Sequence, residues 1–171
     1  CGTTFCYPVS SVGAHVSAVP NGQTGRYTPM ETRGVAAMCG TFGYEMDLGK
    51  CTDEEKEVVR EQVRTFKKRA VLIHQGDYYR LTDPFRNTAY AAWAHVSTDK
   101  REALVSLVTG STTAALPFIV LRLRGLDPDL RYRIDGGERV CGGAALMHAG
   151  ISFPLIPGDY QARQVYLTAV E

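Results

Sequence analysis

The chain has 171 residues and a mass of 18.7 kDa, which allows one ordinary domain, or one compact domain with part of another, but excludes a complete eightfold barrel. Apolar residues make up 44% and charged residues 22%, which excludes a disordered tail or a fibrous protein. The formal net charge of +1 gives no electrostatic reason to expect a nucleic acid or an anionic membrane as a partner.

The beginning of the chain predicts a strand, a loop and a helix. Thr3–Tyr7 is a β-prone run that stops at Pro8, and it predicts a short buried strand. Ser10–Gly25 is rich in turn-forming residues and is predicted to be a long loop. The sequence Thr28–Glu31 combines a hydroxyl, a proline and a glutamate in the order of a capping box, so we predict a helix over Pro29–Cys39.

A second strand and helix follow. Thr41–Met46 is short enough for one strand and is flanked by glycines, which predicts a strand. Thr52–Glu55 is a second capping box, and the apolar stripe behind it predicts a helix over Asp53–Arg69. Residues 1–70 therefore alternate strand, helix, strand, helix, as a parallel α/β sheet does. Two such units are too few to close a barrel or to bury both faces of a sheet.

Residues 71–171 predict an all-β domain. Short β-prone runs are separated there by glycine, proline or aspartate, which is typical of an antiparallel β-sandwich. The predicted strands are Val71–Ile73, Tyr78–Leu81, Thr88–Val96, Ala103–Val108, Phe118–Leu123, Tyr132–Ile134 and Gln164–Thr168. The predicted fold is thus an α/β fragment at 1–70 followed by an antiparallel sandwich at 71–171.

The cysteines and the apolar segments bear on the cellular compartment. The longest mostly apolar stretch, Thr112–Leu123, contains Pro117 and is shorter than the roughly 20 apolar residues that cross a bilayer, so no membrane span is expected. Five cysteines with no CxxC pair predict reduced, mostly buried thiols in a reducing compartment rather than a disulfide scaffold or a zinc site. They are Cys1, Cys6, Cys39, Cys51 and Cys141.

Polar residues offer few complete catalytic patterns. Asp127 and Asp129 flank a proline and predict a surface turn rather than a pair of catalytic carboxylates. Glu45 and Asp47 follow a predicted strand and either point into a site at its carboxyl end or form a solvated edge. The histidines are scattered, so no metal site is expected. They are His15, His74, His95 and His148.

Aromatic residues of the β region leave two alternatives open. Trp93, together with Tyr78, Tyr79 and Tyr90, either forms part of the sandwich core or provides a flat surface for sugar binding. The glycine pair Gly142–Gly143 lacks the lysine of a phosphate-binding loop, so it gives only weak support for a nucleotide site.

Several phrases of the sequence, in order from end to end, closely resemble the α-galactosidases (melibiases) of glycoside hydrolase family 36. They are GAHVSAVPN (Gly13–Asn21), QTGR (Gln23–Arg26), TRG (Thr32–Gly34), GTFGYEMDL (Gly40–Leu48), QGDYYRL (Gln75–Leu81) and GLDP (Gly125–Pro128). The resemblance implies a retaining hydrolase that removes terminal α-linked galactose from melibiose- or raffinose-type oligosaccharides. It also implies the last quarter of a (β/α)8 barrel followed by a C-terminal β-sandwich.

In this alignment Thr3–Tyr7 is barrel strand seven and Thr41–Glu45 is strand eight. The catalytic nucleophile and acid/base, both aspartates, lie upstream of Cys1, so the chain on its own is expected to be inactive. Strand eight supplies three candidates for lining the galactose pocket: Phe42, Gly43 and Tyr44. The alternative role for these residues is packing of the barrel. His15, expected in the loop after strand seven, is a further substrate-binding candidate.

The resemblance also implies no cofactor, nicotinamide included, and no metal. Its partners are the galactoside substrate, the upstream barrel of the same chain and further copies in a homo-oligomer. A cytoplasmic enzyme of bacterial type is expected. The alternative function is a non-catalytic β-sandwich module that binds glycans or stabilises the barrel, and the burial of Trp93 distinguishes these two roles.

Overall fold

A computed structural model of the chain describes residues 2–83, 85–86, 89–112, 118–154 and 156–170. The α/β region consists of β1 (Gly13–Ser17), α1 (Met30–Ala37), β2 (Thr41–Glu45) and α2 (Asp53–Gln75). The β region contains β3 (Asp77–Arg80), β4 (Tyr90–Val96), β5 (Glu102–Thr109), β6 (Ile119–Leu121), β7 (Arg131–Ile134), β8 (Val140–Gly142), α3 (Gly143–His148), β9 (Ile151–Phe153) and β10 (Ala162–Val170). The predicted fold class, a short α/β region followed by an antiparallel β domain, is confirmed.

The first strand lies later in the chain than the sequence predicted. Thr3–Phe5 is a 3₁₀ turn with no buried residue, whereas β1 occupies the middle of the segment predicted as a loop. β1 pairs in parallel with β2, in register from Gly13 opposite Thr41 to Ser17 opposite Glu45. The assignment of Thr3–Tyr7 as a barrel strand is therefore wrong. Val16 is fully buried beneath α1, and this burial outweighs the weak intrinsic β preference of the small residues around it.

Both predicted helices are present, but only α2 begins with the predicted capping box. α1 begins at Met30 with Pro29 in the N-cap position and no side-chain cap, so the predicted capping box at Thr28 is absent. The capping box of α2 is confirmed: Glu55 N donates to Thr52 Oγ1 at 3.2 Å, and Thr52 N donates to Glu55 Oε2 at 3.0 Å.

α2 continues beyond its predicted end. The run Val71–Ile73, predicted as a strand, is helical, because Leu72 and Ile73 extend the apolar face of α2 and are buried against Leu104 of β5. The helix ends at Gly76, where a Cβ would meet the carbonyl oxygen of Leu72 at 2.4 Å. α2 therefore packs against both regions, through Val58 and Val59 near its start and through Leu72 and Ile73 near its end.

The β region is built on a six-stranded antiparallel sheet in the order β3-β4-β5-β10-β7-β8. β6 and β9 form a separate two-stranded sheet whose buried residues join the same core as those of the large sheet. Representative members of this core are Ala94, Val105, Leu121, Tyr132, Ile151, Phe153 and Leu167. Thr88, the predicted start of β4, and Pro117 lie outside the described residues.

Three short elements described in the β region were not predicted: β8, α3 and β9. Each is only three to six residues long, so local sequence preference carries little signal and tertiary contacts stabilise them. Leu146, Ile151 and Phe153 are buried in the core. Gly143 explains the glycine pair, because a Cβ there would lie 1.9 Å from the carbonyl oxygen of Asp127. Gly143 thus serves close packing of the chain, whereas a Cβ at Gly142 would meet no described atom within 4 Å.

The cysteines are less buried than expected. Of those described, Cys51 is buried, Cys39 and Cys141 are half-buried, and Cys6 is exposed, and all four are free thiols. Burial raises the pKa of the Cys39 thiol. Cys1 lies outside the described residues. None of the described helices combines the length and apolar content that a bilayer crossing requires.

Candidate functional site

The two faces of the β1–β2 pair have different surroundings. Because side chains alternate along a strand, Val16 on β1 and Phe42 and Tyr44 on β2 share the face that packs under the helices. His15 and Gly43 are paired in the register and lie on the opposite face. The four predicted substrate-binding residues are therefore divided between two faces of one sheet.

Phe42 and Tyr44 are integrated into the helix packing. The Phe42 ring lies 4.9 Å from that of Phe66 on α2 and 5.3 Å from that of Tyr44, measured between ring centroids. The hydroxyl of Tyr44 donates to Gln62 Oε1 at 2.7 Å, and Gln62 Nε2 donates to the carbonyl of Met30 at 2.9 Å. Burial raises the pKa of Tyr44 to about 12. These contacts favour the packing alternative for both rings, while substrate contact stays a prediction.

The opposite face of the β1–β2 pair carries an acid–base pair. His15 Nε2 lies 2.6 Å from Glu45 Oε2, and both side chains are more than half exposed. A Cβ built on Gly43, on the same face, meets no atom of the described residues within 4 Å. His15 lies within β1. The prediction that it lies in a loop after a strand is therefore wrong. The sequence alone does not connect His15 with Glu45, because only the parallel register of β1 and β2 brings the two residues together.

Two cavities lie beside the carboxyl ends of β1 and β2. One, of about 300 Å³, is lined by residues of the β1–α1 loop, including Asn21, Gln23 and Arg26. The other, of about 390 Å³, is lined by residues that follow β2, including Asp47 and Lys50. Asp47, singled out from the sequence, also accepts a hydrogen bond from Gly49 N at 2.9 Å and faces Lys50 Nζ at 3.9 Å.

One arginine, which sequence analysis did not select, lines both cavities. The guanidinium of Arg33 donates through Nε to the carbonyl of Thr28 at 3.0 Å and through Nη1 to the carbonyl of Ser17. Nη1 also lies 3.9 Å from Met46 Sδ. Arg33 therefore connects the end of β1, the residues before α1 and the end of β2. No local pattern marks such a residue, since its partners are backbone carbonyls that lie 5 and 16 positions away.

The remaining candidates have structural surroundings. Trp93 is only 6% exposed, which favours a structural role over a sugar-binding surface. Asp127 forms the predicted turn, accepting a hydrogen bond from Asp129 N at 2.9 Å. The half-buried Tyr78 packs edge-on against the His95 ring, with 5.5 Å between centroids. Across the described ranges, no three His, Cys, Asp or Glu side chains are arranged to hold a metal ion.

His95 is a fully buried histidine on β4. Within the described part of the chain, neither of its ring nitrogens makes a hydrogen bond of ordinary geometry. Burial lowers the pKa of His95 to about 4, because the charged form would lose its hydration. The backbone of Cys39 partly opposes this shift, and His74 adds to it.

Two family models match the chain: Melibiase over residues 1–76, and the glycosyl hydrolase family 36 C-terminal domain over residues 90–167. The bifunctional α-galactosidase/sucrose kinase AgaSK of Mediterraneibacter gnavus is 51% identical, over 99% of this chain and 18% of its own length. α-Galactosidase AgaA of Geobacillus stearothermophilus is 44% identical, over 99% of this chain and 23% of its own length.

Solved structures agree with these relationships. The galactosidase domain of AgaSK superposes with a TM-score of 0.95 over 99% of this chain and 23% of that structure, at 51% identity. The structure of an AgaA variant in complex with raffinose superposes with a TM-score of 0.94 at 44% identity, with the same coverage of the two chains.

The chain begins with a parallel β/α region and continues with an antiparallel β domain, and the two hydrolase family models match these regions in the same order. The chain is therefore part of a glycoside hydrolase. The chain belongs to glycoside hydrolase family 36, and it comprises the end of the melibiase catalytic domain followed by the C-terminal domain of that family. It spans between 18% and 23% of the length of these two curated relatives.

Proposed function

We propose that the chain is part of an α-galactosidase that hydrolyses terminal α-linked galactose from melibiose- and raffinose-type oligosaccharides. The observation that carries this proposal is the 51% identity and TM-score of 0.95 to the galactosidase domain of AgaSK over nearly the whole chain. Structures of AgaA variants, 44% identical to this chain, hold raffinose and stachyose. The substrate class is therefore an oligosaccharide that ends in α-galactose.

The reaction proceeds with retention of configuration in two displacements. One aspartate attacks the anomeric carbon of galactose while a second protonates the leaving oxygen, and water then releases the sugar from the covalent intermediate. Both aspartates belong to the barrel upstream of Cys1. The 171 residues alone are therefore inactive, because they supply neither the nucleophile nor the proton donor.

Within the complete barrel, the contribution of this chain is the open face of β1–β2. Barrel active sites form at the carboxyl ends of the strands, and His15, Gly43 and Glu45 lie on the face that is not covered by helices. Gly43 lies beside His15 on this face, and the His15–Glu45 pair offers polar atoms for sugar hydroxyl groups. Phe42 and Tyr44 support this face from behind through their packing on α2.

The proposal is tested by a graft in which residues 1–171 replace the corresponding segment of the galactosidase domain of AgaSK. We expect the graft to hydrolyse an aryl α-galactoside and raffinose, and the isolated chain to hydrolyse neither. The host lacking the segment is the negative control. A graft that folds, by its thermal transition and near-UV circular dichroism, but is inactive would contradict the proposal, and so would activity in the isolated chain.

The second candidate function, a non-catalytic module that stabilises the barrel, is favoured by one observation about the β region. Trp93 is buried, and α2 packs on the sheet through Leu72, Ile73 and Leu104. In this alternative the β region holds the last barrel helix and contacts no sugar. Both roles are compatible with one enzyme, since the face that we assign to the substrate lies on β1–β2 and not on the β region. Oligomeric state and cellular location stay predictions from the sequence.

A further inference from the structure

The side chain of Arg33 links the two ends of the segment that connects β1 to α1. Its two carbonyl partners, Ser17 and Thr28, stand at the two ends of the segment 18–27, and its side chain is half-buried between them. An arginine can do this because its guanidinium presents several donors in a rigid planar fork, whereas a lysine offers a single ammonium group. Arg33 thus ties the two ends of the segment together, while Asn21 Oδ1 organises its middle by accepting hydrogen bonds from Gln23 N and Thr24 N.

The same guanidinium joins this loop to the neighbouring strand. Arg33 Nη1 lies 3.9 Å from the sulfur of Met46, the residue that directly follows β2. The loop after β1 and the loop after β2 thus meet at Arg33, at the edge of the sheet where barrel enzymes bind their substrates.

The two cavities at this edge share Arg33, Ala18 and Val19 as a common wall. Amide and hydroxyl groups and Arg26 line the rest of the first cavity, and the rest of the second combines Asp47, Lys50 and Glu55 with the apolar surface of Met46 and Cys51. Such polar groups exchange hydrogen bonds with sugar hydroxyls. Each cavity, of about 300 to 390 Å³, falls in the size range of small-ligand pockets.

We propose that Arg33 is a positioning residue for the part of the substrate beyond the galactose. By linking the ends of the 18–27 segment to each other and to Met46 after β2, it shapes the two cavities at this edge, where the further sugar units of an α-galactoside oligosaccharide would bind. The proposal rests on the proposed function, and it concerns substrates longer than a simple aryl galactoside. Arg33 itself does not take part in bond cleavage.

The test compares Arg33→Lys and Arg33→Ala in the active graft, with raffinose and an aryl α-galactoside as substrates. We expect KM for raffinose to rise about tenfold, the effect of losing one charged hydrogen bond, while kcat for the aryl galactoside stays within about twofold. Added methylguanidinium should lower the raffinose KM of Arg33→Ala again and leave that of Arg33→Lys unchanged. A residue with only a structural role would not show this difference between substrates.

Arg60→Lys is the matched control, because Arg60 lies exposed on α2 in a pair with Glu57 at 2.9 Å. If Arg33→Ala does not fold, Arg33→Lys decides the outcome alone through its raffinose KM. Equal losses on both substrates, or an unchanged raffinose KM, would overturn the inference and leave the proposed function intact. A folded graft inactive on every substrate would overturn the proposed function and this inference together.

Discussion

Gly34 and Gly43 lie in the same α/β region but have opposite surroundings. A Cβ on Gly34 would lie 2.2 Å from Gln62 Nε2, inside a buried group of hydrogen bonds. A Cβ on Gly43 would meet no described atom within 4 Å. The first glycine is required by packing within the chain, and the second lies on the face that we assign to the substrate.

Gly43→Ala should therefore reduce activity without reducing stability. In the graft, we expect kcat/KM for the aryl α-galactoside to fall by about tenfold or more, because the added methyl group occupies space beside the sugar. The thermal midpoint should not change. Gly13→Ala is the control, since Gly13 is equally open but lies at the amino end of β1. Unchanged kinetics of Gly43→Ala would contradict the assignment of this face.

Gly34→Ala should have the reverse effect. Alanine is a better helix former than glycine by about 1 kcal/mol, but here the methyl group would displace Gln62 from Tyr44 and from the carbonyl of Met30. We expect the graft to lose about 1–3 kcal/mol of unfolding free energy, measured by denaturant titration. Gly43→Ala serves as the reference. A stabilised Gly34→Ala would show that helix propensity outweighs the contact.

At the scale of elements, local signals predicted α2 and failed for β1. The capping box at Thr52 and the apolar stripe behind it are contained within one helix, so they could be recognised from the sequence. Gly13–Ser17 has few β-forming residues and becomes a strand only because β2 pairs with it across α1. The His15–Glu45 pair depends on that register, which explains why the site was predicted only in part.

β4 contributes a buried histidine whose titration bears on stability. The pKa of His95 in the folded chain is about 4, below its ordinary value of 6.5, chiefly because of burial. The contribution of neutral His95 to the free energy of unfolding is thus complete above pH 6.5 and is lost as the pH falls through 4. We expect the graft to lose on the order of 3 kcal/mol of unfolding free energy over this interval through His95.

This prediction is checked by denaturant titrations of the graft and of its His95→Gln variant at several pH values between 7 and 4. The variant should lose less stability than the unmodified graft over this interval, since glutamine does not titrate. His148→Gln is the control, because His148 is exposed on α3. Equal pH dependence of the graft and His95→Gln would show that His95 does not contribute as its burial indicates.

At the scale of the whole molecule, α2 is shared between the two regions. Its first half packs on β1–β2 and its last turns pack on the outer face of the antiparallel sheet at Leu104. The division at residues 70/71 stays a prediction, and α2 crosses it. The sequence predicted that a new strand begins at Val71, which would have separated the two regions there. Instead α2 continues through this point and buries Leu72 and Ile73.

This sharing has a consequence for how such enzymes diversify. An accessory module joined by a flexible linker can be exchanged between proteins as an independent cassette. A crossover within α2 of this chain would instead separate Val58 and Val59 from Leu72 and Ile73, so that each parent would supply half of a helix fitted to a different neighbour. Viable hybrids should therefore inherit α2 whole, and the β region should share its ancestry with the barrel.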